Sequence, residues 1–207
     1  MPQKRIDVVD LPSAENKLQI LKLCIEKLTQ QAGYCYIGMD HFAKPEDELA
    51  VAQREGSLHR NFQGYSTFSD RDLIAFGITA ISFIGNTYAQ NVKTLEEYEE
   101  LIEQDELPVE KGIVIEHEDL IRKAVIMALI CHFELDYKDI EQRFDIIFKD
   151  HFAAELEDLT QFAEDGLIEL KEDGIKVNEK GRLLIRNICM CFDRHLTQVR
   201  GRFSKAI

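Results

Sequence analysis

Residues Tyr34–Asp70, YCYIGMDHFAKPEDELAVAQREGSLHRNFQGYSTFSD, form the stretch from which a fold can be read. Tyr34, Cys35, Tyr36 and Ile37 make a short aromatic and β-branched run between Gly33 and Gly38, which predicts a buried strand. Asp40 and His41 follow at once, at the strand end where open α/β sheets and barrels present ligand-contacting groups. Pro45 opens a helix whose first turn carries Glu46, Asp47 and Glu48, where the helix dipole favours acids, and Gly56 closes it. After the polar connector Leu58–Gln63, Gly64–Phe68 reads as a second strand. Strand, helix and strand in that order predict a βαβ unit.

Outward from this stretch the pattern continues in both directions. Ser13 is a good N-cap, and Leu18, Leu21, Ile25 and Leu28 line one face of a helix reaching Gly33. Met1–Asp10 carry no period and read as an end left by truncation. On the other side, Asp72–Thr79 has helix-like apolar spacing, and Ala80–Ile84 is a strand ending at the Gly85-Asn86 turn. Thr94 caps an acidic helix with Leu95, Tyr98, Leu101 and Ile102 as its buried stripe, and Pro108 ends it. A domain boundary is expected near Pro108–Gly112, giving units 1–110 and 111–207.

The second unit reads differently. Glu118–Phe133 is apolar nearly all round, charged mainly at Arg122 and Lys123, and so is expected at the buried centre. Helices are predicted over Tyr137–Phe144 and Lys149–Asp165, the latter ending at Gly166. Leu167–Leu170 and Ile175–Val177 form a hairpin through Asp173-Gly174. Asn178 then caps a last helix whose face is Ile185, Ile188, Cys189, Phe192 and Leu196. Three helices, a hairpin and a closing helix predict a winged-helix-like arrangement.

The 207 residues, 45% hydrophobic, suffice for an ordinary packed core. The longest apolar run, Ala124–Cys131, is far short of the ~20 residues of a membrane span, and no secretory signal is evident, so a cytoplasmic protein is expected. The five cysteines, Cys24, Cys35, Cys131, Cys189 and Cys191, are scattered and odd in number, which fits reduced thiols. Net charge is -13, which repels polyanions unless cations are gathered. They are gathered in part. Lys180–Ile207 holds seven Lys or Arg against Asp193, while Lys93–Asp119 holds eleven acids against Lys93 and Lys111, so the two regions should attract. The acids of Lys149–Asp165 argue against nucleic-acid binding by that helix.

The blocks IGMDHFAKPEDELAVAQREGSLHRNFQGYST, GITAISFIGNTYAQN and KGRLLIRNICMCFD closely resemble the C-terminal half of the oxygen-independent coproporphyrinogen III oxidases, within the radical S-adenosylmethionine family. The resemblance implies the last part of an incomplete (β/α) barrel followed by a mostly helical, winged-helix-like domain. It also implies a part in the oxidative decarboxylation of two propionates of coproporphyrinogen III to vinyl groups, giving protoporphyrinogen IX. That chemistry uses S-adenosylmethionine and a 4Fe-4S cluster. The family's Cys-x3-Cys-x2-Cys motif is absent from this sequence, so the chain alone is expected to be inactive and to bind no cofactor securely by itself. Gln63 and Ile81 match family positions that line the S-adenosylmethionine pocket. An amide suits the cofactor's polar edge and an aliphatic side chain its apolar face.

For the substrate, Asp40 and His41 are candidates as an acid/base pair or a propionate anchor, or as structural caps. Successive strand residues point to opposite faces, which argues against direct cooperation of the two. Arg60, with His59 and Asn61, offers donors for the four carboxylates of coproporphyrinogen; the alternative is a solvated loop. Cys189 and Cys191, two apart on a helix, diverge by about 200° and read as packing residues rather than metal ligands. His132 reads as a core histidine. An incomplete barrel would leave an open edge suited to self-association. The alternative function is a non-catalytic haem- or porphyrin-binding partner, or a regulator, of a full-length oxidase.

Overall fold

The structure is a computed structural model and describes residue 7 and residues 10–69 and 71–196. Helix α1 (Ala14–Glu26) begins where Ser13 Oγ accepts the Asn16 N–H, and it continues through a π-helical turn at Lys27–Gln31. The apolar spacing predicted for α1 is present, but none of its residues is buried.

Strand β1 (Cys35–Gly38) pairs antiparallel with β2 (His41–Ala43), aligning Tyr36 with Phe42. The βαβ expectation is therefore corrected. Gly38 (φ 149) and Met39 (φ 55) turn the chain at once, so β2 takes the ladder positions that a strand after the helix would have used. Helix α2 (Glu48–Glu55) starts on Asp47, which accepts the Leu49 N–H, and stops at Gly56 in the left-handed region (φ 73). Strands β3 (His59–Asn61) and β4 (Gly64–Ser66) form a second antiparallel hairpin around Phe62 and Gln63.

Strands β5 (Ile81–Ile84), β6 (Thr87–Asn91) and β7 (Val109–Val114) form an antiparallel sheet in that order, with α3 (Leu95–Glu103) between β6 and β7. The Gly85-Asn86 turn is where the sequence placed it. Residues 72–79 are not helical: the Leu73 amide and carbonyl bridge to Phe83, so the segment lies along β5 instead. Thr94 caps α3 as expected, yet the stripe is covered only in part: Tyr98 and Leu101 are half-buried, while Leu95 is 55% and Ile102 49% exposed. The expected boundary at 110/111 falls inside β7, whose pairing with β6 runs from Val109 to Val114.

Helix α4 (His117–His132) is the central element, burying Ile121, Val125, Leu129, Ile130 and Cys131. Around it follow β8 (Glu134–Asp136), α5 (Tyr137–Phe144), α6 (Phe148–His151), α7 (Ala153–Asp158), α8 (Thr160–Glu164), β9 (Ile168–Leu170), β10 (Gly174–Val177), α9 (Glu179–Arg182) and α10 (Ile185–Met190). Strands β8, β10 and β9 form an antiparallel sheet in that order. The single helix predicted over Lys149–Asp165 is broken at Phe152 and Leu159, both fully buried; drawing those side chains inward overrides the local period. The closing helix is likewise interrupted at Leu184.

A ladder of rings fills the core beneath α4: Tyr137 stacks on Phe148 (4.2 Å), which meets Phe152 (4.8 Å), which meets Phe192 (5.4 Å). The same apolar cluster extends to Ile37, Ala43, Ala50, Ala52 and Leu58, so the stretch that opened the sequence reading is packed on α4. The chain is mixed α/β, and the described strands form no closed barrel. Among the described residues, no helix is long and apolar enough to cross a membrane.

Candidate functional site

The two hairpins of the Tyr34–Asp70 stretch meet face to face. Gly38 lies against Tyr65, and the His41 ring meets the Tyr65 ring edge-on at 5.1 Å. Tyr65 Oη donates to the Ile130 carbonyl (3.2 Å) on α4. Gln53 Nε2, on α2, donates both to Ile37 O (2.7 Å) and to Cys131 O (3.0 Å), tying β1 to the end of α4. Burial pushes the Tyr36 phenol up to about 12, with Arg182 opposing and Asp40 adding to the shift. Burial also raises Tyr65, reinforced by Cys131 and opposed by Arg60, and pushes the Cys131 thiol up to about 12. These groups stay protonated at neutral pH, so they serve as hydrogen-bond donors and packing surface rather than as bases or thiolates.

A cleft opens between α4 and the β5–β6–β7 sheet. One cavity of about 360 Å³ is lined by His59, Arg60, Asn61 and Phe62 of the β3–β4 hairpin, by Phe68, Ser69, Arg71 and Leu73, by Phe83 and Tyr88 of the sheet, and by Lys123, Met127 and Ile130 of α4. Two more adjoin it, sharing Lys123 and Met127. One, of about 590 Å³, reaches towards His132 and Arg143; the other, of about 570 Å³, reaches Ile113, Phe192 and Arg194. Arg60 Nη1 is enclosed and has no hydrogen-bond partner among the described residues. His132 Nδ1 is in the same condition, and burial lowers this imidazole's pKa, with backbone hydrogen bonding at Leu58 and Gln53 opposing.

Among the residues singled out in the sequence, Arg60 lines the cleft. Asp40 and His41 do not line these cavities, but they do touch: His41 Nδ1 lies 2.9 Å from Asp40 Oδ1, although not in hydrogen-bonding geometry. The opposite-faces argument fails for them because the Gly38–Met39 turn breaks strand alternation there. Gln63 sits exposed in the β3–β4 turn, its N–H donating to Asn61 Oδ1 (2.8 Å). Ile81 is half-buried opposite Gln90 and shares the face of β5 with the cleft residue Phe83. Neither Gln63 nor Ile81 lines the three cavities.

Cys189 packs in the core and Cys191 donates to its own helix at Asn187 O. The expected attraction between basic and acidic regions is visible at Arg194, which meets Asp119 (2.7 Å) and Glu116 (2.8 Å). Arg200, Arg202 and Lys205 lie outside the described residues. Sequence reading missed Arg71 and the central place of Lys123. The available signal was a lysine on a helix otherwise apolar nearly all round.

Residues 115–184 match the family model of the HemN C-terminal domain. Over 196 residues, 95% of this chain, the sequence is 54% identical to the oxygen-independent coproporphyrinogen III oxidase of Escherichia coli K12 and covers 43% of that protein. The enzyme of the same name from Pseudomonas aeruginosa PAO1 is 50% identical over all of this chain and 45% of its own length. That of Thermostichus vulcanus is 52% identical over 99% of this chain and 63% of its own length. The solved structure of the Escherichia coli coproporphyrinogen III oxidase, HemN, described as a radical SAM enzyme, superposes with a TM-score of 0.88 over 93% of this chain and 44% of that one. The chain thus spans less than half the length of the Escherichia coli and Pseudomonas relatives, and the match is to their C-terminal part.

Proposed function

We propose that this chain works as the C-terminal part of an oxygen-independent coproporphyrinogen III oxidase, contributing to the oxidative decarboxylation of coproporphyrinogen III to protoporphyrinogen IX in the cytoplasm. The observation that carries this reading is 54% identity over 95% of the chain, joined to a TM-score of 0.88 with the solved relative. The matched length takes in the hairpins, the cleft and the core together, so it describes a whole wall and not one motif.

The residues present do not fit an iron–sulfur cluster. Such sites gather thiolates, whereas burial holds the Cys131 and Cys189 thiols protonated, and no described group of three His, Cys, Asp or Glu converges. A 4Fe-4S cluster would be held by residues outside this chain. S-adenosylmethionine, cleaved with one electron from such a cluster, would supply the abstraction of a hydrogen atom from a propionate side chain. On this reading Gln63 offers its exposed amide to the cofactor's polar edge and Ile81 covers its apolar face. Arg60 faces a substrate carboxylate, and the touching Asp40–His41 pair serves as an acid/base pair or as a propionate anchor. The protein's share is placement and exclusion of water.

In fold terms, the N-terminal hairpins and helices belong against the end of an incomplete barrel, and α4–α10 with the β8–β10–β9 sheet make a winged-helix-like cover that binds no nucleic acid. The division expected at 110/111 moves to the end of β7, a placement supported by its ladder with β6 and by the family match starting at residue 115. The edge strand β7 is exposed at every residue and supports self-association. A second reading, porphyrin holding without turnover, is favoured by the cleft being lined by this chain's own residues.

Anaerobic assay of the purified chain, with coproporphyrinogen III, reductant and S-adenosylmethionine, is expected to give no turnover. Fusing the chain to the cluster-bearing part of the Escherichia coli relative should restore it, and failure of the fusion to turn over would sink the reading. In that fusion Gln63→Ala should weaken S-adenosylmethionine binding; unchanged affinity removes Gln63 from the site.

A further inference from the structure

Residues 72–115, which carry β5, β6, α3 and β7, are tied to themselves and not to the body of the protein. Asp72 Oδ1 accepts the Gly85 N–H (2.8 Å), Tyr98 Oη accepts the Gly77 N–H (3.2 Å), Asn91 Nδ2 donates to the Gly77 carbonyl (2.9 Å), and the Ile115 N–H reaches Asn86 O (2.8 Å). Their ion pair, Lys93 with Glu110, is internal as well. Among the described residues, every hydrogen bond and ion pair that this segment makes ends inside it. Within it only Asn91, Val92, Pro108 and Ile115 are buried, and none of them belongs to the apolar cluster that packs on α4.

The face that this sheet turns towards α4 carries Phe83, Tyr88 and Ile113, aligned across the ladder, yet Ile113 is still 44% exposed. Between that face and the helix lie the cavities of about 360, 590 and 570 Å³. A packed interior leaves few voids larger than a water molecule, so two bodies separated by three such voids are not locked together. What crosses the gap is soft. Lys123 Nζ stands over the Phe83 ring (4.0 Å) and the Tyr88 ring (5.5 Å), and Phe62 meets Tyr88 edge-on (5.4 Å). Contacts of this kind slip and re-form without stranding a buried polar group, which a broken hydrogen bond would do.

We infer that residues 72–115 are a lid over α4, moving as one body about the two points where the chain passes into it, at Arg71 and at Glu116, with Lys123 as the latch. Glu116 is a firm pivot, because its side chain and backbone close a capping box with Asp119 at the start of α4. The internal ladder keeps the lid rigid, and the lack of polar ties to the body makes its displacement cheap. Opening widens the cleft; closing brings Phe83 and Tyr88 down on Lys123 and expels water from it. The lid is a property of this chain by itself and stands or falls apart from the proposed function.

The test is amide relaxation-dispersion NMR on the 207-residue chain, which reads motion on the microsecond-to-millisecond scale of lids. Amides of β5, β6 and β7, and those of Phe62, Lys123 and Met127 across the gap, should share one exchange rate, while Phe148, Phe152 and Phe192 in the ring ladder stay flat. Lys123→Ala should raise the open-to-closed ratio about threefold, and Lys123→Arg should keep it. Tyr88→Leu, which weakens the latch from the lid side, should act in the same direction as Lys123→Ala, with circular dichroism unchanged in all three variants. Flat profiles across residues 72–115, rates that differ from strand to strand, or an open-to-closed ratio that neither Lys123→Ala nor Tyr88→Leu moves would each overturn the lid. Turnover by the fusion with the cluster-bearing part reports on the proposed function alone.

Discussion

Gly38 shows how one residue can set the geometry of a site. Its φ of 149 is costly for any side chain, and a Cβ there would overlap the Tyr65 hydroxyl, which is itself bonded to Ile130 O. Gly38→Ala should cost about 1–3 kcal/mol in chemical denaturation and shift the Tyr65 ring. Gln53 acts at longer range, spanning Ile37 O and Cys131 O with one amide. Gln53→Leu strands two buried carbonyls and should cost about 1–3 kcal/mol, where an exposed glutamine would cost almost nothing. Asp119 makes a pH prediction. Burial works against its ionisation, but the Glu116 amide and the Arg194 and His195 side chains donate to it and hold its carboxyl below the usual range. A lowered folded pKa means stability that is full above the ordinary carboxylate pKa of about 4 and lost as pH falls through the folded value. Urea midpoints followed from pH 7 to pH 3 should fall more steeply for the unsubstituted chain than for Asp119→Asn. Parallel curves would remove the contribution.

At the scale of elements, α4 shows what periodicity captures and what it leaves out. An apolar surface nearly all round the helix announced a central position, and Leu129 is 0% exposed. Leu129→Ala should cost about 2–5 kcal/mol, whereas Leu95→Ser on the uncovered face of α3 should stay within about 0.5 kcal/mol in this chain; thermal or denaturant unfolding of both variants tests the contrast. Local capping was legible at Ser13 and Thr94, which act on amides three residues away, whereas Asp47, expected inside the first turn of a helix opening at Pro45, is instead the cap of α2. Pairing partners were not. The Tyr34–Asp70 alternation fits a βαβ unit or two hairpins equally well, and only the backbone turn at Gly38–Met39 chose between them. Phe152 broke a periodic segment because the ring ladder that ends at the distant Phe192 needed it inside, and Leu159 broke it again on joining the same buried core.

For the whole molecule, one apolar cluster runs from Ile37 and Leu58 through α4 to Phe192, crossing the expected boundary between units. Far-ultraviolet circular dichroism and tyrosine fluorescence should therefore report one coincident unfolding transition; two separated transitions would show that the parts on either side of residue 115 fold independently. Net charge was read directly from composition, but its distribution was not: the unpaired cations of the cleft come from β3, from the segment before β5 and, more than 50 residues further along the chain, from α4. By itself, the sequence determined the capped helices, the Gly85-Asn86 and Asp173-Gly174 hairpins, the buried helix and the resemblance that names Gln63 and Ile81, because each rests on neighbouring residues or on matched blocks. Only the tertiary structure decided which strands pair, which apolar stripes are covered, and that Arg60, Arg71 and Lys123 share one cavity. Those outcomes depend on contacts between residues far apart in the chain, and such contacts leave no local period to read.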